Sequence, residues 1–182
     1  SVNCAAKKTI AHPLHEAISK NHSNVVKLLI DAGADVNKAC SSGKTPLLIA
    51  VTHGHRDIAE ELIKSGADPN KISHSPNLLS PLHIAVKGGD TKTVDLLLRH
   101  GASPRHKTRK GWTPLHLAVK QGHQDIVHSL VAHPHTNIHA ETSKGLKPEH
   151  LTKDVSIVRS LRSCSLKSKK QPRHCLTAAD SM

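Results

Sequence analysis

The stretch Gly111-Trp112-Thr113-Pro114-Leu115-His116-Leu117-Ala118 decides how the whole chain is read. Threonine before proline marks a helix start. The hydroxyl caps a free amide, and proline suits the first turn because its missing N–H would be unpaired there. Outward from Pro114 the pattern returns at Pro13, Pro46, Pro81 and Pro148, so that successive prolines lie 33, 35, 33 and 34 residues apart. Two residues after each proline stand His15, Leu48, His83, His116 and His150, and four after stand Ala17, Ala50, Ala85, Ala118 and Thr152. Further on, Leu29, Leu62, Leu97 and Leu130 recur in register, and the first three copies continue into Gly33, Gly66 and Gly101. A glycine there can take a positive φ after a helix. Registered copies at this period form stacked units, none of which buries its apolar face alone.

These segments, together with Leu28-Leu29-Ile30-Asp31-Ala32-Gly33-Ala34-Asp35-Val36-Asn37, resemble the ankyrin repeat. The resemblance covers residues 9–162, as repeats at about 9–41, 42–74, 75–108 and 109–142 and a degenerate fifth at 143–162. It implies a mainly α solenoid of helix-turn-helix units with β-hairpin fingers. Residues 1–8 are an N-terminal flank, and residues 163–182, rich in charge and without an apolar period, read as a disordered basic tail.

Three departures from the pattern carry structural expectations. Two extra residues precede Pro81, with Leu78 in the usual glycine position, so that finger should be longer and irregular. Pro134 replaces the glycine after the fourth second helix, which forbids a left-handed residue and predicts a distorted turn. The fifth copy has Glu149 for the core leucine and a short second segment, Ile157–Leu161, and reads as a polar cap.

Composition narrows the function. Phe and Tyr are absent and Trp112 is the only aromatic residue among 182, so aliphatic side chains must build the core. No run approaches the roughly 20 apolar residues of a membrane span. Cys4, Cys40, Cys164 and Cys175 form no CxxC pair and read as free thiols in a reducing compartment. No signal peptide is visible, and the expected setting is cytoplasmic, with nuclear import open to the basic run Lys167–Arg173. The chain reads as a monomeric module of a larger protein. It carries no G-x-S-x-G, H-E-x-x-H or phosphate-binding glycine loop, and neither enzyme chemistry nor a cofactor is expected.

Seven of the seventeen histidines follow the repeat. By the resemblance, His15, His83, His116 and His150 bracket neighbouring repeats, and His22, His55 and His123 share a position nine after proline. His133, His135 and His139 crowd an irregular turn, but no cysteine or carboxylate completes a tetrahedral metal set, and no metal is expected there.

The net charge of +12 favours acidic partners. The family's binding surface comprises the finger tips and the inner face of the first helices. In this chain the twenty corresponding slots of the first four repeats contain no Asp or Glu. Lys44, Lys87, Arg109, Lys110 and Lys120 fall there with Trp112, and Arg105 and Lys107 crowd beside them in sequence. Positive charge next to a flat apolar ring is typical of interface anchors. The expected partner is an acidic or phosphorylated protein segment; nucleic acid fits less well, because one tryptophan makes a poor stacking platform. Alternative readings are a ubiquitin-ligase substrate receptor, from a faint likeness of Ser160–Cys164 to the start of a SOCS box, or a piece of a larger ankyrin-rich toxin, effector or channel. The resemblance also makes Asn37, and less closely Asn70, a candidate for asparagine hydroxylation.

Overall fold

The computed structural model describes residues 13–72 and 77–168, with side chains as far as Ser163. Residues 1–12, 73–76 and 169–182, which include the expected N-terminal flank, part of the expected irregular finger and most of the expected tail, lie outside the described residues. Eight helices pair off as α1 (Pro13–Ser19) with α2 (Ser23–Asp31), α3 (Pro46–His53) with α4 (Arg56–Lys64), α5 (Pro81–Gly88) with α6 (Thr91–Arg99), and α7 (Pro114–Gln121) with α8 (Gln124–Ala132). First helices pack on first helices in the order α1, α3, α5, α7, and second helices follow behind as α2, α4, α6, α8. This is the expected solenoid.

Helices of seven to nine residues do not persist alone in water. Caps and burial fix them. Thr45 Oγ1 accepts from the Leu48 N–H at 3.2 Å, and each of Pro46, Pro81 and Pro114 opens its helix. Ala50, Ala85 and Ala118, at most 2 % exposed, let first helices approach closely. Behind them Leu47, Leu82, Leu115, Ile58, Leu62, Leu97, Ile126 and Leu130 fill the space between layers. The aliphatic core demanded by the composition is thus one continuous cluster along the stack.

The fingers differ from the expected β-hairpins: no strand occurs among the described residues. Each complete finger is a tip closed by one pair of bonds. Cys40 N–H donates to Lys44 O and Gly43 N–H to Cys40 O; Thr108 with Trp112 and Gly111, and Thr142 with Leu146 and Gly145, repeat the arrangement at 2.8–3.0 Å. A ladder cannot grow because a proline, which lacks an N–H and opens the next helical segment, stands two residues beyond each closing carbonyl. In the third finger Leu78 adopts φ +52°, the left-handed conformation that Gly43, Gly111 and Gly145 take at φ +71° to +75°. Cys40, at the second finger, is a half-buried free thiol.

The fifth unit is a 3-10 turn, Pro148–Leu151, followed by α9, Val155–Ser168. The segment expected to be short is the longest helix of the described residues, and it crosses the boundary placed at 163, so the first residues assigned to the tail are helical. Ile157 and Leu161, spaced one turn apart, are at most 4 % exposed against the stack and explain why the helix persists. Leu161, the apolar residue of the SOCS-like segment, is spent on closing the core.

Candidate protein-binding face

Two buried histidines set the spacing between fingers. His83 Nδ1 accepts from Ser80 at the cap of its own helix, and its Nε2–H donates to the Trp112 carbonyl of the next finger at 3.1 Å. His116 repeats this between Thr113 and the Leu146 carbonyl, also at 3.1 Å. These are the inter-repeat brackets that the resemblance implied. Both imidazoles must be neutral to accept at Nδ1 while donating at Nε2. Burial pushes the His83 pKa down to about 4, and burial lowers that of His116 as well.

The bracket fixes Trp112. Its carbonyl is held by His83, its N–H donates to Thr108 Oγ1 at 3.1 Å, and its ring lies 6.1 Å from that of His116. Lys120 Nζ stands 5.0 Å from the ring centroid, within cation–π range. Trp112, Leu117, Leu79, Lys87, Lys120, Arg109 and Lys110 line a concavity of about 260 Å³. A second concavity of about 390 Å³, lined by Lys44, Leu48, Val51, Thr52, Leu79, Ile84 and Lys87, shares Leu79 and Lys87 with the first. The result is one groove across three repeats, with an aliphatic and indole floor and a basic rim. No carboxylate lines it.

Lys44, Lys87, Arg109, Lys110 and Lys120 are all exposed, and among the described residues none forms an ion pair. The pairs that do form engage other residues, such as Lys20 with Glu16 and Lys64 with Glu60. The groove cations therefore keep their charge available. The floor residues Ile84 and Leu117 were not singled out from sequence. Both lie three residues after the repeat proline, where sequence alone reads an apolar residue as core, and the structure leaves them half-buried.

Two of the eight sequence-nominated residues lie elsewhere. Arg105 Nε donates to the His135 carbonyl at 2.7 Å and Lys107 Nζ to the Glu141 carbonyl at 3.0 Å. Both line a separate cavity beside the turn that follows α8. Adjacency in sequence misleads because the finger begins only at Thr108; residues before it belong to the turn after α6. His133, His135 and His139 surround that turn, and no group of three His, Cys, Asp or Glu side chains converges on one point among the described residues.

Asn37 and Asn70 are half-buried clamps between successive turns. Asn37 Nδ2 donates to Gly66 O at 2.9 Å while its Oδ1 accepts from Asp68 N–H at 2.8 Å; Asn70 does the same with Gly101 and Ser103.

The stacked pairs and clamped turns define a helical-repeat solenoid. The chain belongs to the ankyrin-repeat family: the model described as "Ankyrin repeats (3 copies)" matches residues 2–73 and 71–142. It is also similar to Zygote-specific protein 3 of Chlamydomonas reinhardtii, 34 % identical over 110 residues. That match takes in 60 % of this chain and spans 29 % of the relative's length. Ankyrin repeats generally mediate protein–protein interactions. No described helix is long and apolar enough to cross a membrane.

Proposed function

We propose that this chain is a non-enzymatic interaction module whose groove holds an acidic or phosphorylated segment of another protein. The observation that carries the reading is an apolar floor ending at Trp112 and rimmed by five exposed cations without an ion pair. Apolar side chains of the partner would fill the floor, and its acidic groups would meet the rim. Rim charges act mainly on association rate and specificity, so binding weakens as salt screens them. Cytoplasm or nucleus, where phosphorylated segments are abundant, is the setting in which we place it.

The test is capture of acidic and phosphorylated peptides by the wild type and by a variant carrying Lys87→Glu, Arg109→Glu, Lys110→Glu and Trp112→Ala. Retention is expected to fall by about a hundredfold, because a central aromatic anchor alone is worth about 2 kcal/mol or more. Unchanged capture by a variant with a wild-type circular dichroism spectrum overturns the reading.

Asn37 is proposed as a hydroxylation site. Its Cβ belongs to a side chain that clamps two turns through both ends of its amide, so Asn37→Ala is expected to destabilise the stack by about 2 kcal/mol, measured by urea denaturation. Peptide mass spectrometry after asparaginyl-oxygenase treatment is expected to show one added oxygen at Asn37, and an unmodified residue removes this assignment.

A further inference from the structure

The turn after α8 is built differently from its counterparts, and the difference leaves hydrogen-bond donors without acceptors. In the first three repeats two residues, Ala32-Gly33, Ser65-Gly66 and His100-Gly101, lead from the second helix to an alanine, of which Ala67 and Ala102 are at most 4 % exposed. The fourth repeat uses three, His133-Pro134-His135. Thr136 therefore occupies the alanine slot and Asn137 the slot of Asp35 and Asp68. The bonds confirm the register. Asn137 Oδ1 accepts from His139 N–H at 3.0 Å, as Asp35 Oδ1 accepts from Asn37 N–H and Asp68 Oδ1 from Asn70 N–H at 2.8 Å.

Two acceptors are missing as a result. Asn37 and Asn70 each donate to the carbonyl of the next turn's glycine and accept the N–H two residues further on, from Asp68 and Ser103. Arg105 stands in the third such slot. Its Nε reproduces the donation, to His135 O, but a guanidinium has no acceptor, so the N–H of Asn137 has no equivalent of the Asp68 and Ser103 bonds. Thr136 Oγ1, unlike the exposed Asn137, is buried, and it has no hydrogen-bond partner in a slot where three alanines present no polar atom. An unsatisfied buried polar atom is costly and calls for a partner.

Beside these donors opens a cavity of about 610 Å³ with Arg105, Lys107, His133 and His139 on its walls and no carboxylate among its lining residues. The nearby Glu141 offers Lys107 only its carbonyl, and its carboxylate lies 4.0 Å from Lys147. His133 Nδ1 accepts from His135 N–H, which leaves its Nε2–H as a further donor.

We propose that this cavity binds a phosphate group, with the Asn137 amide and the Thr136 hydroxyl as neutral donors and Arg105 and Lys107 as the balancing charges. A phosphate offers these donors at least three strong acceptor oxygens, against the two of a carboxylate. The cavity has room for the organic group that carries it. The site lies on the turns behind the stack and is independent of the groove proposed above.

The test is a titration of the isotopically labelled full chain, following the Asn137 and Thr136 amide resonances at constant ionic strength. Inorganic phosphate and a tripeptide with central phosphoserine serve as probes, and chloride as the control. Saturable shifts are expected with at least one phosphate probe. Tighter binding of inorganic phosphate would point to a free small phosphate, and tighter binding of the tripeptide to a phosphorylated side chain of a partner. Arg105→Asn restores the side chain that the first two repeats use in this slot, so it keeps the fold and returns an internal acceptor to Asn137; its affinity is expected to drop at least about tenfold. Lys107→Gln, whose only described bond is to a carbonyl, is the second variant, expected to lose affinity while folding normally. Shifts no larger than those in chloride, or wild-type affinity in both variants, would overturn the site.

Discussion

Lowering the pH from 7 to 4 is expected to remove about 3 kcal/mol of folding stability through His83 alone. The imidazole is fully buried and spends Nδ1 as an acceptor and Nε2–H as a donor, so a second proton has no place in the folded state. Its folded pKa, pushed down to about 4 by burial, lies below the ordinary value of 6.5 that it regains on unfolding. A depressed folded pKa means that the unfolded chain binds more protons across that interval. The stability is therefore fully present above pH 6.5, is lost as pH falls toward 4, and changes no further through this group below it. His116, shifted in the same direction by burial, adds to the slope. Urea denaturation at stepped pH measures it. His83→Leu supplies the control, because Leu48 already fills the same slot of the second repeat at 0 % exposure. The variant is expected to lose stability at pH 7, where the bracket to Trp112 is gone, and to show a flatter dependence between pH 6.5 and 4. An unchanged slope would show that His83 is not the titrating group.

A methyl group at position 111 should be far more damaging than the same change at position 145. Both glycines close finger tips, at φ +75° and +71°, and in both an L residue pays about 1 kcal/mol for the left-handed conformation. At Gly145 the added carbon meets nothing within 4 Å, so Gly145→Ala should cost about that amount. At Gly111 it would lie 2.6 Å from the Ser143 backbone nitrogen and 3.0 Å from the Thr142 carbonyl carbon. Backbone cannot move aside as a flexible side chain does. The neighbouring finger must retreat, and it is held there by two bonds to Lys110 O, from Ser143 N–H at 3.1 Å and from Ser143 Oγ at 2.9 Å. Gly111→Ala is expected to cost about 3 kcal/mol in total and to loosen the groove wall that carries Arg109 and Lys110. Equal losses for the two variants in urea denaturation would mean that the fingers are not in contact as described.

Much of the fold was legible because one signal, proline at intervals of 33 to 35 residues, fixes both register and helix start. The alanines, histidines and leucines at set distances then assign their own positions. Two features escaped. The fingers were read as hairpins because the family pattern does not say how many ladder bonds fit between a tip and a proline that cannot donate. Helix α9 was read as a short segment because its polar residues mask Ile157 and Leu161, whose burial depends on the face left open by α8. The proposed groove was partly legible, since slot counting nominated the cations and Trp112 that line it without any geometry. Crowding in sequence, and not slot counting, nominated Arg105 and Lys107, which lie within five residues of Thr108 and Lys110 but belong to the turn after α6 and line a separate cavity. Slot counting also passed over Ile84 and Leu117, because an apolar residue in a helix reads as core until its exposure is known.

The position of Trp112 makes the chain its own optical probe. With no Tyr or Phe in the sequence, all near-ultraviolet indole emission comes from this one ring, seated in the groove under the Lys120 ammonium and beside His116. Any segment that displaces Lys120 or covers the ring changes the colour and yield of a single emitter, so groove occupancy can be followed by light from the unlabelled protein.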